Sequence, residues 1–172
     1  SSGLAAVNCL TGTHCADTHI TVRITSGDAP VLLSAETLDI NGNGKLDHYK
    51  LTFNVPVADA SFPGFAGNNA EGTATTQWFI GNYANVRIDT RDALPPTGPG
   101  DIATNDTVIY LAFDEKTEVC SGNDISGCDT GALPQLTTSA SPGLTDLDPT
   151  TIGQLAIGGI TETDSALPKL IT

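Results

Sequence analysis

The chain has 172 residues, of which 39% are hydrophobic and only 5% aromatic, so any core must rest mainly on aliphatic side chains. Its 20 acidic residues outnumber the 7 basic ones, and a net charge of −13 argues against nucleic acid or anionic lipid as a partner. No apolar run approaches the ~20 residues that a membrane-spanning helix needs, so we expect no membrane insertion.

Short alternating segments between Gly- and Pro-rich turns predict about seven strands and almost no helix. In residues 49–55 the alternation is strict, and it places Tyr49, Leu51, Phe53 and Val55 on the inward face. Three irregular stretches (63–76, 92–104 and 116–133) are interpreted as surface loops without catalytic chemistry. This pattern predicts an all-β sandwich with long loops. The predicted strands are, in chain order, 20–24, 30–37, 49–55, 86–89, 107–113, 135–140 and 152–160.

The most specific motif lies between the second and third predicted strands, in the sequence DINGNGKLD. Oxygen-bearing side chains alternate at Asp39, Asn41 and Asn43, and a glycine follows at the sixth position. This spacing is typical of loops that bind Ca²⁺, where position seven gives its backbone carbonyl (Lys45) and position nine binds directly or through water (Asp47). The sequence therefore predicts a calcium loop.

The motif differs from an EF-hand, because position twelve is Lys50 and no helix is predicted on either side. A further ligand must come from elsewhere, and the candidates are Glu36, Asp59 and an acidic residue between positions 114 and 129. The alternative is a plain Asn-Gly hairpin turn without an ion.

Four cysteines form two close pairs, Cys9 with Cys15 and Cys120 with Cys128. Neither pair has Cys-x-x-Cys spacing, so two local disulfides are predicted, each stabilising by roughly 2.5 kcal/mol on the chain-entropy model. A metal site that uses His14 and His19 is the alternative for the first pair. Disulfides in a chain poor in lysine indicate an oxidising, extracellular or cell-surface location.

The C-terminal segment repeats a pattern found near the start. Residues 160–172 are similar to residues 24–34, as if the chain ended with the opening strand of another copy. The terminal strand could pair with a neighbouring subunit, the chain could be cut from a tandem array, or the similarity could arise by chance. We therefore divide the chain into an N-terminal strand segment (1–27), a sandwich (28–160) and a C-terminal strand (161–172). If the C-terminal strand is shared, it pairs with a neighbouring domain or subunit.

Segment 30–39, the Asp/Asn-rich loop and segment 51–57 together resemble the opening of bacterial immunoglobulin-like (Big-type) domains from large surface and secreted proteins. Later segments, 105–111, 129–134 and 144–147, are similar to the later strands and turns of that family. The resemblance implies an immunoglobulin-like β-sandwich that serves as a spacer, stalk or adhesive module. The cysteine-bearing residues 1–27 and 120–128 depart from the family pattern and leave open whether the chain is an ordinary spacer.

An enzyme is not predicted. None of the three histidines lies in a metalloprotease spacing or beside a plausible nucleophile, and no nucleophile elbow or phosphate-binding loop is present. Trp78 is interpreted as part of the core. The functional prediction is a calcium-stabilised structural or adhesive module that contacts tandem domains or copies of itself, assembling head to tail by strand exchange if the terminal strand is shared. The alternative is a carbohydrate-binding accessory module, with Trp78 and Phe79 stacking on surface glycans.

Overall fold

The computed structural model describes residues 29–94, 98–147 and 160–168, and within these ranges the protein is all-β, with one short 3-10 turn and no α-helix. The N-terminal segment 1–27, with its predicted strand and its Cys9–Cys15 pair, lies outside the described residues. So does the predicted strand 152–160, apart from Ile160. The strands are β1 (Leu32–Leu38), β2 (His48–Phe53), β3 (Trp78–Ile80), β4 (Ala84–Asp89), β5 (Ala93–Leu94), β6 (Gly98–Pro99), β7 (Val108–Asp114), β8 (Leu136–Thr138) and β9 (Glu162–Asp164).

Five strands form the main sheet in the order β4-β7-β2-β1-β9, and β2 and β7 lie at its centre as an antiparallel pair. The alternation predicted for residues 49–55 is confirmed as far as Phe53, because Tyr49, Leu51 and Phe53 are all buried, whereas Val55 is half-buried and lies beyond the strand. Burying side chains of this size contributes roughly 1.5–3 kcal/mol each. The strand ends at Phe53, two residues earlier than predicted, and Asn54 then donates its backbone N–H to the carbonyl of Val31.

A second, two-stranded sheet pairs β3 with β8, and its residues share one hydrophobic core with the main sheet. Trp78 is 1% exposed and donates its indole N–H to the Pro142 carbonyl at 2.9 Å, so its interpretation as a core residue is confirmed. The prediction missed β3 because three residues are too few to display a period. Trp78 is therefore too buried to stack on glycans, as the alternative carbohydrate-binding function requires.

One edge of the main sheet is formed by β9, which runs parallel to β1. The backbone N–H of Ser165 donates to the Thr37 carbonyl at 3.2 Å, and the Thr163 hydroxyl donates to the Ala35 carbonyl at 3.4 Å. The predicted C-terminal strand thus pairs within its own chain in its described part.

Candidate functional site

The loop between β1 and β2 contains the residues predicted to bind calcium, and its side-chain oxygens fold back onto its own backbone. The Asp39 carboxylate accepts the backbone N–H groups of Asn43, at 3.1 Å, and Gly44, at 2.8 Å. Asn41 Oδ1 accepts the Asn43 N–H at 3.0 Å. Asn43 Oδ1 accepts the Lys45 N–H at 2.9 Å. These side-chain oxygens therefore curl residues 39–47 into a closed loop, as Asp and Asn side chains do in Asx turns, and we call this loop the ring.

Two glycines give this ring its curvature. Gly42 and Gly44 have φ values of +67° and +92°, which lie in the left-handed region that glycine adopts without steric cost. No atom lies within 4 Å of a Cβ built on Gly42, so the need for glycine there comes from the backbone and not from crowding.

Asp47 closes the ring from its other end. Its carboxylate accepts the backbone N–H groups of Ile40, at 3.0 Å, and Asn41, at 3.2 Å. The same carboxylate lies 2.8 Å from Nδ1 of His48, and Asp47 is only 7% exposed. Three donors thus converge on one buried carboxylate, which fixes the point where the loop enters β2.

Glu115, directly after β7, completes the oxygen-rich face of the ring. Each of its carboxylate oxygens accepts the Asn43 side-chain amide at 2.8 Å, and Oε1 also accepts the amide of Asn41. Of the other candidates for a further ligand, Glu36 pairs with Lys50 at 3.7 Å, and Asp59 follows the opposite end of β2. Seventy-four residues separate Asn41 from Glu115, so no local sequence signal connects the two.

The disulfide segment docks on the same ring. Cys120 and Cys128 form a disulfide with Cα atoms 4.9 Å apart, as the sequence predicts for this pair. Asp129 donates its backbone N–H to the Gly44 carbonyl at 3.1 Å, and its carboxylate accepts the Leu46 N–H at 2.7 Å. The Lys45 ammonium donates to the Lys116 carbonyl at 2.8 Å. The ring and residues 116–129 therefore form one connected unit.

The chemistry of the ring suits a hard cation, although its side-chain oxygens accept backbone N–H groups and do not converge on one point. The side-chain atoms of the ring that can bind a metal ion are carboxylate and amide oxygens, and these are the ligands that Ca²⁺ prefers. Among the described residues, no group of three or more His, Cys, Asp or Glu side chains is assembled as a metal centre. Burial raises the pKa of Asp39, the N–H groups of Gly44 and Asn43 oppose this, and the charge of Asp47 adds to the rise. The negative charge of the ring would therefore be stabilised by a positive ion.

A buried ionic network on the outer face of the main sheet was not predicted. Nδ1 of His48 faces Asp47, and its Nε2 lies 3.3 Å from Asp89. Asp89 also pairs with Arg91, and Glu71 pairs with both Arg91 and Arg87. Asp47 with His48 and Asp89 with Arg91 are the local signals of this network, whereas the contacts between these pairs join different segments.

The network leaves His48 no free nitrogen for chemistry. Burial alone lowers the pKa of His48, but the hydrogen bonds and charges of Asp47 and Asp89 raise it above its ordinary value. Both ring nitrogens face carboxylates of the protein, so a substrate could reach neither of them without displacing one of these contacts. The imidazole of His48 therefore links the loop between β1 and β2 to β4, through its contacts with Asp47 and Asp89.

An open groove of about 390 Å³ borders this network and the ring. Its charged side chains already have partners within the protein, including Arg87 with Glu71 and Asp114, and Glu115 with the loop amides. A ligand would have to replace these internal contacts. The groove therefore gives little support for a substrate site.

No helix among the described residues is long and apolar enough to cross a membrane. Comparison with protein-family models, with curated proteins and with solved structures gave no match.

Proposed function

We propose that the chain is a calcium-stabilised structural module of an extracellular surface or filament protein, with an immunoglobulin-like sandwich fold. The observation that carries the proposal is the contact of Glu115 with the Asn41 and Asn43 amides. It brings a carboxylate from the end of β7 to the loop between β1 and β2, so that an ion bound there would tie three neighbouring strands together.

The ring needs only a local change to bind an ion. When an Asn amide rotates about its Cβ–Cγ bond, its oxygen takes the place of its N–H group. Asn41 and Asn43 would then point oxygens toward the Glu115 side and give up the hydrogen bonds that these oxygens accept from the backbone. Asp39 and the Lys45 backbone carbonyl, both predicted ligands, belong to the same ring, and Asp47 would bind directly or through water. The ion would then hold the loop together with its bound disulfide segment.

The contacts favour a structural role over a catalytic one. His48 is held by two carboxylates, and the charges along the neighbouring groove are satisfied internally. Head-to-tail strand exchange is not needed for this proposal, because β9 of the same chain already pairs with β1. In an exchanged assembly, a neighbour's strand would take the place of β9.

The test is thermal unfolding with 10 mM CaCl₂ and with chelator, on the wild type and on Glu115→Gln. An ion that binds only the native state raises the melting temperature by mass action, and we expect roughly 5 °C or more for the wild type. The rise should be smaller in Glu115→Gln, since the amide that replaces this carboxylate is a weaker ligand for Ca²⁺.

Glu118→Gln is the matched control, because Glu118 is an exposed acid of the same segment. It should keep the wild-type calcium response. The proposed loop site is wrong if Glu115→Gln and Glu118→Gln respond to calcium to the same extent, or if the wild type does not respond.

A further inference from the structure

A second acidic cluster lies at the end of the β2–β7 pair opposite to the calcium loop. Asp59 begins the 3-10 turn Asp59–Ser61 that follows β2, while Asp101 and Asp106 lie on the chain before β7. Because the two strands are antiparallel, the segment after β2 and the segment before β7 meet at the same end. Sequence patterns predict only a surface loop for residues 92–104, and they offer Asp59 only as a candidate ligand of the calcium loop.

Backbone hydrogen bonds fix the position of both segments. The Val57 N–H donates to the Asp106 carbonyl at 2.7 Å. Asp59 and Asn105 form a reciprocal pair, in which each backbone N–H donates to the other's side chain at 3.1 Å. The Asp101 N–H donates to the Arg91 carbonyl at 3.0 Å. Three stretches of chain are thus tied together around the carboxylates.

Three carboxylate oxygens of the cluster are buried without a hydrogen-bond partner. They are Oδ1 of Asp59 and both oxygens of Asp101. Asp59 is 1% exposed and Asp101 is 5% exposed, so water does not solvate them from outside. Neither residue forms an ion pair within the described ranges. Buried polar atoms of this kind nearly always have a partner in a native protein, so these oxygens point to a missing ligand.

The electrostatics indicate the sign of that ligand. Burial and then the negative charge of Asp59 raise the pKa of Asp101 to about 7. Asp106 adds to this rise, whereas the Ala103 backbone N–H, which lies outside hydrogen-bonding geometry, opposes it. The negative charges of Asp59 and Asp106 act on Asp101, and none of the described cations pairs with Asp59 or Asp101, so the buried charge is unfavourable unless a proton or a positive ion neutralises it.

We propose that Asp59 and Asp101 form a second binding site for a divalent cation of the calcium class, between the turn after β2 and the loop before β7. Two carboxylates balance the charge of one divalent ion, and all the donors are oxygens, as hard cations require. Backbone carbonyls and water would fill the remaining positions. The proposed ion would connect β2 and β7 at the end that the first site does not reach.

The test is calcium titration calorimetry on the full chain after removal of metal by chelator. We expect the wild type to bind about two ions, and Asp101→Asn to bind one fewer. Asp59→Asn is the second variant, with the same expected loss, and circular dichroism checks that both are folded. Asp92→Asn is the matched control, since it removes an exposed acid from the same loop and should keep the wild-type number.

The two proposed sites fail in different ways. A single ion that is kept in Glu115→Gln and lost in Asp101→Asn leaves the second site standing and removes the loop site. Folded Asp101→Asn and Asp59→Asn proteins that bind as many ions as the wild type overturn the second site. If both variants unfold, a variant that combines Asp39→Asn with Glu115→Gln decides: an ion still bound there supports the second site, and its absence overturns it.

Discussion

The two ends of the β2–β7 pair both carry acidic residues, but they satisfy them in opposite ways. At the calcium loop, the carboxylates of Asp39 and Asp47 each accept two backbone N–H groups of the ring. At the other end, Asp101 has no hydrogen-bond partner for either oxygen, and Asp59 has none for one of its two. The two ends carry similar numbers of acidic residues and differ in how many N–H groups donate hydrogen bonds to their carboxylates.

This difference separates two roles for a bound ion. Where the backbone amides converge on the carboxylates, the loop can form without an ion, and the proposed calcium ion would add stability to a structure that already exists. Where donors are lacking, the fold buries negative charge at a cost that only a proton or a cation can remove. The alternating oxygens and the glycine of the loop predict the first proposed site from the sequence, whereas the second proposed site depends on tertiary contacts alone.

The largest expected effect is an opposite response to the same substitution at the two ends. In chelator at pH 8, Asp47→Asn should lower the free energy of unfolding by about 2 kcal/mol, because three donors converge on that carboxylate. Asp101→Asn should instead raise it by about 2 kcal/mol, because it removes a buried charge without a partner. Urea unfolding of both variants measures the difference, and the same sign for both would break the comparison.

The disulfide should matter only at the loop end. Cys120→Ser combined with Cys128→Ser should lower the free energy of unfolding by roughly 2.5 kcal/mol on the chain-entropy model. Because Asp129 and Lys116 dock this segment on the ring, calcium affinity of the loop should fall as well. Calorimetry should show that the site at Asp59 and Asp101 is unchanged. Equal weakening of both sites would mean that the two ends are not independent.

The smallest effect concerns Asp89, a buried carboxylate that is satisfied by protein cations. Burial opposes ionisation, but hydrogen bonds from His48 and Arg91 outweigh it and lower the pKa of Asp89 from 3.8 to about 2. A lowered pKa gives stability that is present above pH 3.8 and is lost as the pH falls toward 2, by about 2 kcal/mol. Urea unfolding between pH 4 and pH 2 should therefore show a weaker pH dependence in Asp89→Asn.

Asp114→Asn is the control for that measurement, because this half-exposed carboxylate contacts Arg87 at the surface and should change stability by no more than about 0.5 kcal/mol. An unchanged pH dependence in Asp89→Asn would mean that the network does not hold this carboxylate ionised.

Longer strands with a marked hydrophobic pattern could be predicted from the sequence, and the ends of short strands could not. β2 and β7 lie within two residues of their predicted bounds, because β2 alternates in burial and β7 is a run of five buried residues. β3 was missed because Trp78–Ile80 shows only one repeat of that period. The short β5 and β6 were missed for the same reason.

The site was predicted only as far as it is local. The spacing from Asp39 to Asp47 identified the ring and its glycines, and the acidic stretch after β7 was among the candidates for a further ligand. Neither Glu115 nor Asp101 could be singled out, because only the pairing of β2 with β7 brings Glu115 to Asn41 and brings the segment of Asp101 to that of Asp59. Chemistry of this kind becomes visible only when the antiparallel register of β2 and β7 is known.

The parallel pairing of β1 and β9 affects how the module would respond to mechanical tension. Pulling on the chain before β1 and after β9 loads the two strands in opposite directions along their length. Their hydrogen bonds are then sheared together and do not peel apart one at a time. A stalk or filament under load would gain resistance from this edge, even though β9 contributes only three residues to the sheet.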